Sequence, residues 1–176
     1  MPDPWLRVLP SASRFVFHGD ADARAAASTA WGVPFADEAC RARAAAERAT
    51  LWLGPDEYLL WDGASGADLK EAAALAAAIE RALGELPHAL VDISQRQIAL
   101  RLSGLHAAEI LSGGCPLDLD IEQFPVGACT RTVFAKADIV LWRTAPDTFH
   151  LEVWRSFGAY VSELLREIAT DLNLAG

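Results

Sequence analysis

The sequence predicts an α+β protein in which two similar β-α-β-β-α units form mainly antiparallel sheet with packed helices. The first observation is a β-hairpin pattern at 51–61, where two apolar runs flank Gly54-Pro55-Asp56-Glu57. The second is a similar hairpin pattern, with Pro146-Asp147 at its turn, about 90 residues further along the chain. An amphipathic helical pattern follows each hairpin, and a strand–Gly–helix pattern precedes each one. This order predicts a duplication, although Pro-Asp is also a common turn dipeptide in its own right.

The first unit begins with a short alternating strand pattern at 14–18. Asp20 or Asp22 can cap a helix that runs to Trp31, and Gly32 ends this helix. The composition of residues 35–47 favours a helix, and a long surface excursion is the alternative. After the hairpin, helical spacing at 67–83 predicts an amphipathic helix. Its predicted buried face comprises Leu69, Ala72, Ala73, Ala76, Ile79 and Leu83.

The second unit repeats this order with different lengths. Apolar strand patterns are followed by a short helix, a Gly-Gly-Cys-Pro stop, an acidic loop and three more strands. The predicted bounds are strands at 89–93 and 98–102, a helix at 106–111, a loop at 117–127, and strands at 130–136, 139–143 and 149–154. A final amphipathic helix is predicted at 157–172, with Ser156 as its N-cap. Its predicted inward residues are Tyr160, Leu164, Leu165 and Ile168.

The predicted domain organisation is a loose N-terminal lead-in over residues 1–13, followed by one domain over residues 14–176. The two halves of the repeat are expected at about residues 14–94 and 95–172. A chain of 176 residues is long enough to bury one sizeable core, so one domain is the default expectation.

Composition and charge exclude several classes of protein. No apolar stretch approaches the roughly 20 residues that cross a bilayer, and the first residues lack the pattern of a signal peptide. A formal net charge of -9, with scattered arginines, disfavours binding to nucleic acid. Three cysteines without a Cys-x-x-Cys pair predict reduced thiols and a cytoplasmic protein. The six tryptophans are expected to lie mostly in the core, with some facing a partner.

The sequence predicts no catalytic, cofactor-binding or metal-binding residues. Cys115 follows a predicted helix C-terminus, whose negative dipole disfavours a thiolate, so a structural cysteine is expected there. The four histidines are far apart and lack metal-ligand spacing. Serine, histidine and aspartate residues are present, but no Gly-x-Ser-x-Gly elbow accompanies them. The acidic loop lacks the glycine and the terminal glutamate of a calcium-binding loop.

Arginine and aromatic residues offer a different kind of candidate site, because these residue types dominate the energetics of protein interfaces. They lie just before the second unit's first strand and around its last hairpin and last helix. The candidate partner-interface residues are Arg96, Trp142, Trp154, Arg155 and Phe157.

Five stretches carry a further signal in their joint order and spacing, at 51–60, 91–97, 114–119, 132–142 and 155–157. Together they resemble the gamma subunit of bacterial heterotetrameric sarcosine oxidase. The resemblance covers roughly residues 14–172 and rests on spacing rather than on one motif. That family is similar in fold to the folate-binding domain of the glycine cleavage T protein. Val91-Asp92-Ile93-Ser94 and Ser103-Gly104 resemble steps of that wider group.

The resemblance implies a non-catalytic subunit of an alpha-beta-gamma-delta complex, bound mainly to the alpha subunit, with the beta and delta subunits completing the complex. Such a complex oxidises sarcosine to glycine, with tetrahydrofolate accepting the one-carbon unit and oxygen giving hydrogen peroxide. FAD, FMN, NAD, tetrahydrofolate and zinc are implied for the other subunits. The alternative is a stand-alone folate-binding or one-carbon-metabolism protein. Trp154 and Arg155 stand where T-protein relatives carry an asparagine near the folate, which favours an interface in place of that pocket.

Overall fold

The computed structural model describes residues 3–64 and 69–174. Within them, ten strands form two five-stranded antiparallel sheets, and four α-helices accompany the sheets. The elements are β1 (Leu6–Val8), β2 (Ser13–Gly19), α1 (Ala21–Trp31), β3 (Ala42–Ala45), β4 (Arg48–Gly54), β5 (Glu57–Asp62), α2 (Leu69–Leu83), β6 (His88–Asp92), β7 (Gln97–Ser103), α3 (Ala107–Ser112), β8 (Cys129–Phe134), β9 (Ala137–Ala145), β10 (Thr148–Trp154) and α4 (Gly158–Asp171). The predicted α+β class with antiparallel sheets is confirmed.

The N-terminal unit comprises Pro10–Gln95 and contains the sheet β3-β4-β5-β2-β6. Helix α1 begins at Asp20, whose carboxylate accepts the Ala23 N–H at 3.0 Å, and it ends at Gly32 in the left-handed conformation. Apolar residues of α1, α2 and the strands form one buried cluster. Its members include Phe15, Phe17, Ala23, Ala27, Trp31, Tyr58, Leu60, Ala72, Ile79 and Leu83.

The C-terminal unit comprises the residues from Arg96 onward together with those up to Leu9, and it contains the sheet β1-β7-β10-β9-β8. Alternate residues of β7, β9 and β10 face α3 and α4, as the period of two in a strand requires. The buried cluster includes Leu6, Leu100, Leu102, Ile110, Leu111, Phe134, Leu141, Phe149, Leu151, Val153, Val161 and Leu165.

Equivalent backbone hydrogen bonds in the two units support the predicted duplication, although each unit has three strands between its helices where the predicted β-α-β-β-α unit has two. Gly19 at the end of β2 donates its N–H to the Asp56 carbonyl at 3.0 Å, and Gly104 after β7 donates to the Asp147 carbonyl at 2.9 Å. Both acceptors are the aspartates of the two Pro-Asp turns from which the duplication is predicted. Each bond ties the strand before the first helix of a unit to the turn of its hairpin.

The fifth strand of each sheet comes from a different part of the chain. In the N-terminal unit it is β6, and the Ile93 N–H donates to the Arg14 carbonyl at 2.8 Å. In the C-terminal unit it is β1, and the Leu9 N–H donates to the Ala99 carbonyl at 2.9 Å. The loose segment expected over residues 1–13 therefore contains a paired strand. Its three residues are too few to produce a recognisable alternation in a proline-bearing stretch.

The prediction of a helix over residues 35–47 is wrong. An extended segment that contains strand β3 occupies this region. The Tyr58 hydroxyl donates to the Ala36 carbonyl at 2.9 Å, and the Thr50 hydroxyl donates to the Pro34 carbonyl at 2.8 Å. Left-handed backbone at Cys40 and at Ala46 also interrupts any helix. Tertiary contacts thus override the high helix propensity of the alanines.

The last helix differs from its prediction in its start and in its buried face. A single 3-10 turn at Arg155–Phe157 precedes α4, and no side-chain hydrogen bond caps either element. Ser156 therefore does not act as the N-cap that the sequence predicted. The buried stripe consists of Gly158, Val161, Ser162, Leu165 and Ala169. Tyr160, predicted to point inward, is 37% exposed. Gly158 sets this face, because its backbone lies directly on the Ile98 side chain.

Candidate functional site

The ends of β7 and β10 bring three of the five predicted interface residues together, and Phe157 follows them in the 3-10 turn after β10. Gln97 and Trp154 are paired across these antiparallel strands, so Arg96 and Arg155 are the next residues outward. The Arg155 N–H donates to the Arg96 carbonyl at 2.9 Å and continues the ladder by one bond. Residues 59 positions apart in sequence thereby become neighbours through strand pairing alone.

The Arg96 side chain lies over the Trp154 ring, with its Cζ atom 5.1 Å from the ring centroid. Both residues are exposed, and the Trp154 side chain retains 46% of its accessible surface. Within residues 3–64 and 69–174, the Arg96 guanidinium makes no ion pair. A cation placed over an indole face is held by the ring quadrupole, so the guanidinium is positioned before any partner arrives.

Two more exposed aromatic residues follow along the chain. The Phe157 and Tyr160 rings have centroids 6.4 Å apart and meet edge-on, and the Phe157 side chain is 40% exposed. Arg96, Trp154, Arg155, Phe157 and Tyr160 are called the Arg–aromatic surface below. The sequence prediction placed Tyr160 on the buried face of the last helix and so missed it as a surface residue. Counting the glycine as buried gives the stripe Gly158, Val161, Leu165 and Ala169, which places Tyr160 outward.

Trp142, the fifth predicted interface residue, has a different ring partner. It is paired with His150, four residues before Trp154 on β10, and the two rings have centroids 5.6 Å apart. Trp142 is half-buried, and the neighbouring His150 lies 2.7 Å from the buried Glu152 carboxylate. The structure thus places Trp142 in an aromatic and polar cluster rather than among the exposed aromatic rings.

A cavity of about 590 Å³ lies beside the acidic loop of the C-terminal unit. The buried Arg143 guanidinium holds this loop, because it donates to the carbonyls of Leu119 at 3.0 Å and Phe124 at 2.8 Å. Burial lowers the pKa of Arg143, and the carboxylates of Asp147 and Asp120 act in the opposite direction. Because the guanidinium donates to two carbonyls of the loop, Arg143 holds the loop in place.

Cys115 and Ser94, the cysteine and serine considered for chemistry, are both engaged in holding the fold. Burial raises the pKa of the Cys115 thiol, so the neutral form that packs in the core is favoured. The Ser94 hydroxyl lies 2.6 Å from Asp92 Oδ1 and accepts the Arg14 N–H at 2.9 Å, which closes the turn after β6. Within the described residues, no group of three histidine, cysteine or acidic side chains could hold a metal ion.

No helix among the described residues combines the length and the apolar character that a membrane crossing requires.

Comparison with known proteins gives one family over most of the chain. Residues 18–171 match the family described as "Sarcosine oxidase, gamma subunit family". Over 127 residues the chain is 32% identical to sarcosine oxidase subunit gamma of Corynebacterium sp. (strain U-96), covering 72% of this chain and 58% of that relative. The chain therefore spans only a little over half the length of this curated relative.

Two solved structures share the fold. A chain of heterotetrameric sarcosine oxidase from Corynebacterium sp. U-96, in complex with pyrrole 2-carboxylate, has a TM-score of 0.85 at 26% identity. This match covers 97% of the present chain and 85% of that chain. Glycine cleavage system aminomethyltransferase T from Bartonella henselae has a TM-score of 0.64 at 14% identity, over 91% of this chain and 44% of that chain. The second likeness concerns the fold alone.

Proposed function

Because this chain belongs to the sarcosine oxidase gamma subunit family, we propose that it is a non-catalytic subunit of a heterotetrameric sarcosine oxidase. The observation that carries this proposal is the family match over residues 18–171. The fold of a chain from a heterotetrameric sarcosine oxidase supports it, with a TM-score of 0.85. The role is support of assembly in a complex that oxidatively demethylates sarcosine to glycine and transfers the one-carbon unit to tetrahydrofolate.

The proposed direct partner is the alpha subunit, and the proposed contact is the Arg–aromatic surface. Arginine and tryptophan dominate the energetics of many protein interfaces, and here they are adjacent and exposed. The beta and delta subunits complete the proposed complex. FAD, FMN, NAD, tetrahydrofolate and zinc are assigned to those other subunits, in keeping with the family resemblance. We place the complex in the cytoplasm, which suits the reduced state expected for the three cysteines.

Co-purification tests this proposal. The chain is tagged and coexpressed with the alpha, beta and delta homologues of the same bacterium, and the retained proteins are identified by mass spectrometry. We expect all three to be retained at micromolar concentration. Absence of any such association would remove the proposal.

Calorimetric titration of the isolated chain with tetrahydrofolate distinguishes the proposed subunit from the alternative, a stand-alone folate-binding protein. We expect no saturable heat from the lone chain. Saturable binding, together with no association in the coexpression experiment, would favour a stand-alone folate-binding protein.

A further inference from the structure

We propose that the Arg–aromatic surface binds an acidic segment of another subunit, with a carboxylate seated on the Arg96 guanidinium and apolar groups against Trp154 and Phe157. This inference rests on the proposed function, because it specifies the chemistry of the partner segment that the same surface fits.

The geometry of Arg96 favours a carboxylate. Its Cζ atom is 5.1 Å from the Trp154 ring centroid, so the ring restricts the side chain. The N–H donors of a guanidinium lie in its plane, and a ring contact on one face leaves those donors available. The planar fork matches two carboxylate oxygens, and the resulting bonds are stronger than those between neutral groups. Because Arg96 is already positioned, less side-chain entropy is lost on binding.

The local charge contrasts with that of the whole chain. The segments 95–99 and 154–161 contain two arginines and no acidic residue, whereas the chain as a whole carries a formal net charge of -9. A positive surface on a negative protein complements a partner segment of negative charge. Two arginines neutralise too few phosphates to offset the repulsion between nucleic acid and the negative chain, whereas one carboxylate needs only one guanidinium, so a protein segment is the favoured occupant.

The aromatic area supplies apolar contact beside the charge. The Trp154, Phe157 and Tyr160 side chains are 46%, 40% and 37% exposed, respectively. Aromatic anchors that flank an arginine are typical of the residues that contribute most to association. We therefore expect apolar side chains next to the carboxylate in the partner segment.

Charge variants test the proposal in the tagged coexpression experiment. We expect Arg96→Glu to retain at least about tenfold less of the other subunits than the wild type, because repulsion replaces a charged hydrogen bond. Arg96→Gln should give an intermediate loss. Arg7→Glu makes the same charge change at an exposed position of β1 and should retain wild-type amounts. Circular dichroism and the thermal midpoint of each isolated chain show whether the variants fold.

Chemical cross-linking identifies the partner group directly. The chain has only two lysines, Lys70 and Lys136, so few amines can react. The variant Arg96→Lys keeps the charge and introduces an amine, which a carbodiimide joins to a carboxylate only when the two groups are in contact. We expect a new cross-link, absent from the wild type, between position 96 and an aspartate or glutamate of another subunit.

Each outcome decides the inference. Wild-type retention by a folded Arg96→Glu variant would overturn it. So would a complex of the Arg96→Lys variant whose introduced amine is joined to no carboxylate of another subunit. If Trp154→Ala abolishes retention while both Arg96→Glu and Arg96→Gln retain wild-type amounts, the surface is purely apolar and the inference is wrong, although the proposed function stands. If the wild type retains no other subunit, the proposed function fails and this inference fails with it.

Discussion

At the scale of single residues, two polar side chains join separate segments within their units. Arg143 donates to the Leu119 and Phe124 carbonyls and also contacts the Pro146 carbonyl, while its Cζ atom lies 4.8 Å from the Phe149 ring centroid. His88 lies between the Leu86 carbonyl and the Glu80 carboxylate. Neither arrangement follows from local sequence, because each depends on tertiary contacts.

Replacing Arg143 should destabilise the C-terminal unit. Arg143→Met keeps the apolar stem but leaves buried carbonyls without their donor, and we expect a loss of about 3 kcal/mol in the free energy of unfolding. Urea unfolding followed by tryptophan fluorescence measures the loss. Arg43→Met, at an exposed position of β3, is the control and should change the free energy by less than about 0.5 kcal/mol. Equal effects of the two substitutions would show that Arg143 does not hold the loop.

The stability of the N-terminal unit should depend on the protonation of His88. Its Nδ1 atom lies 2.7 Å from the Leu86 carbonyl and its Nε2 atom 2.8 Å from a Glu80 carboxylate oxygen, and these contacts, with Leu86 the larger cause, raise the pKa of His88. The folded protein therefore binds the proton more tightly than the unfolded chain does. The resulting stabilisation is complete below the unfolded pKa of about 6.5 and is lost as the pH rises through the folded pKa.

Glu80→Gln tests this linkage. An NMR titration should show a lower pKa for His88 in the variant, and the difference in unfolding free energy between wild type and variant should shrink as the pH rises above about 6.5. Glu85→Gln removes the same charge from an exposed neighbour and should leave the pKa of His88 nearly unchanged. A His88 pKa that is equal in the wild type and the Glu80→Gln variant would refute the assigned ion pair.

At the scale of elements, the short strand β1 completes the sheet of the C-terminal unit. Leu6 is 4% exposed and belongs to the core cluster, whereas Val8 on the same strand is 61% exposed. We expect Leu6→Ala to reduce the free energy of unfolding by about 2 to 3 kcal/mol, since a buried leucine is truncated. Val8→Ala should cost less than about 0.5 kcal/mol. Urea denaturation of both variants gives the comparison, and a similar cost at the two positions would mean that β1 is not packed on the core.

The elements with strong periodicity were predictable, and those defined by distant contacts were not. The sequence indicated α1, α2 and both hairpins because apolar spacing and turn residues agree locally. Strand β1 was missed because its pairing with β7 spans most of the chain. Strand β3 was missed because an alanine-rich segment favours a helix until it pairs with β4.

The candidate site was predictable in part. The residue types of the Arg–aromatic surface were evident, but the contact of Arg96 with Trp154 depends on the register of β7 and β10. Tyr160 was assigned to the wrong face of α4 because the buried Gly158 carries no apolar signal in the sequence. Trp142 shares the residue type of the surface, but its ring contacts His150 and not an arginine.

At the scale of the whole molecule, the chain consists of two units with the same strand order and equivalent strand-to-turn hydrogen bonds. The family match extends over both units, from residue 18 to residue 171. The Cys115 thiol packs in the core and the Ser94 hydroxyl closes a turn, while the Arg–aromatic surface carries exposed arginine and aromatic side chains. These features together support a role in assembly, as proposed above.

Native mass spectrometry of the coexpressed and purified oxidase tests whether this chain is the fourth subunit of the complex. We expect a complex with one copy each of the alpha, beta and delta homologues plus one copy of the expressed 176-residue chain, whose mass is 18.9 kDa. Mild dissociation in the instrument should release the chain intact and leave a complex lighter by that mass. An oxidase complex that lacks this chain, while the chain is present and folded in the same extract, would show that the chain is not a subunit of it.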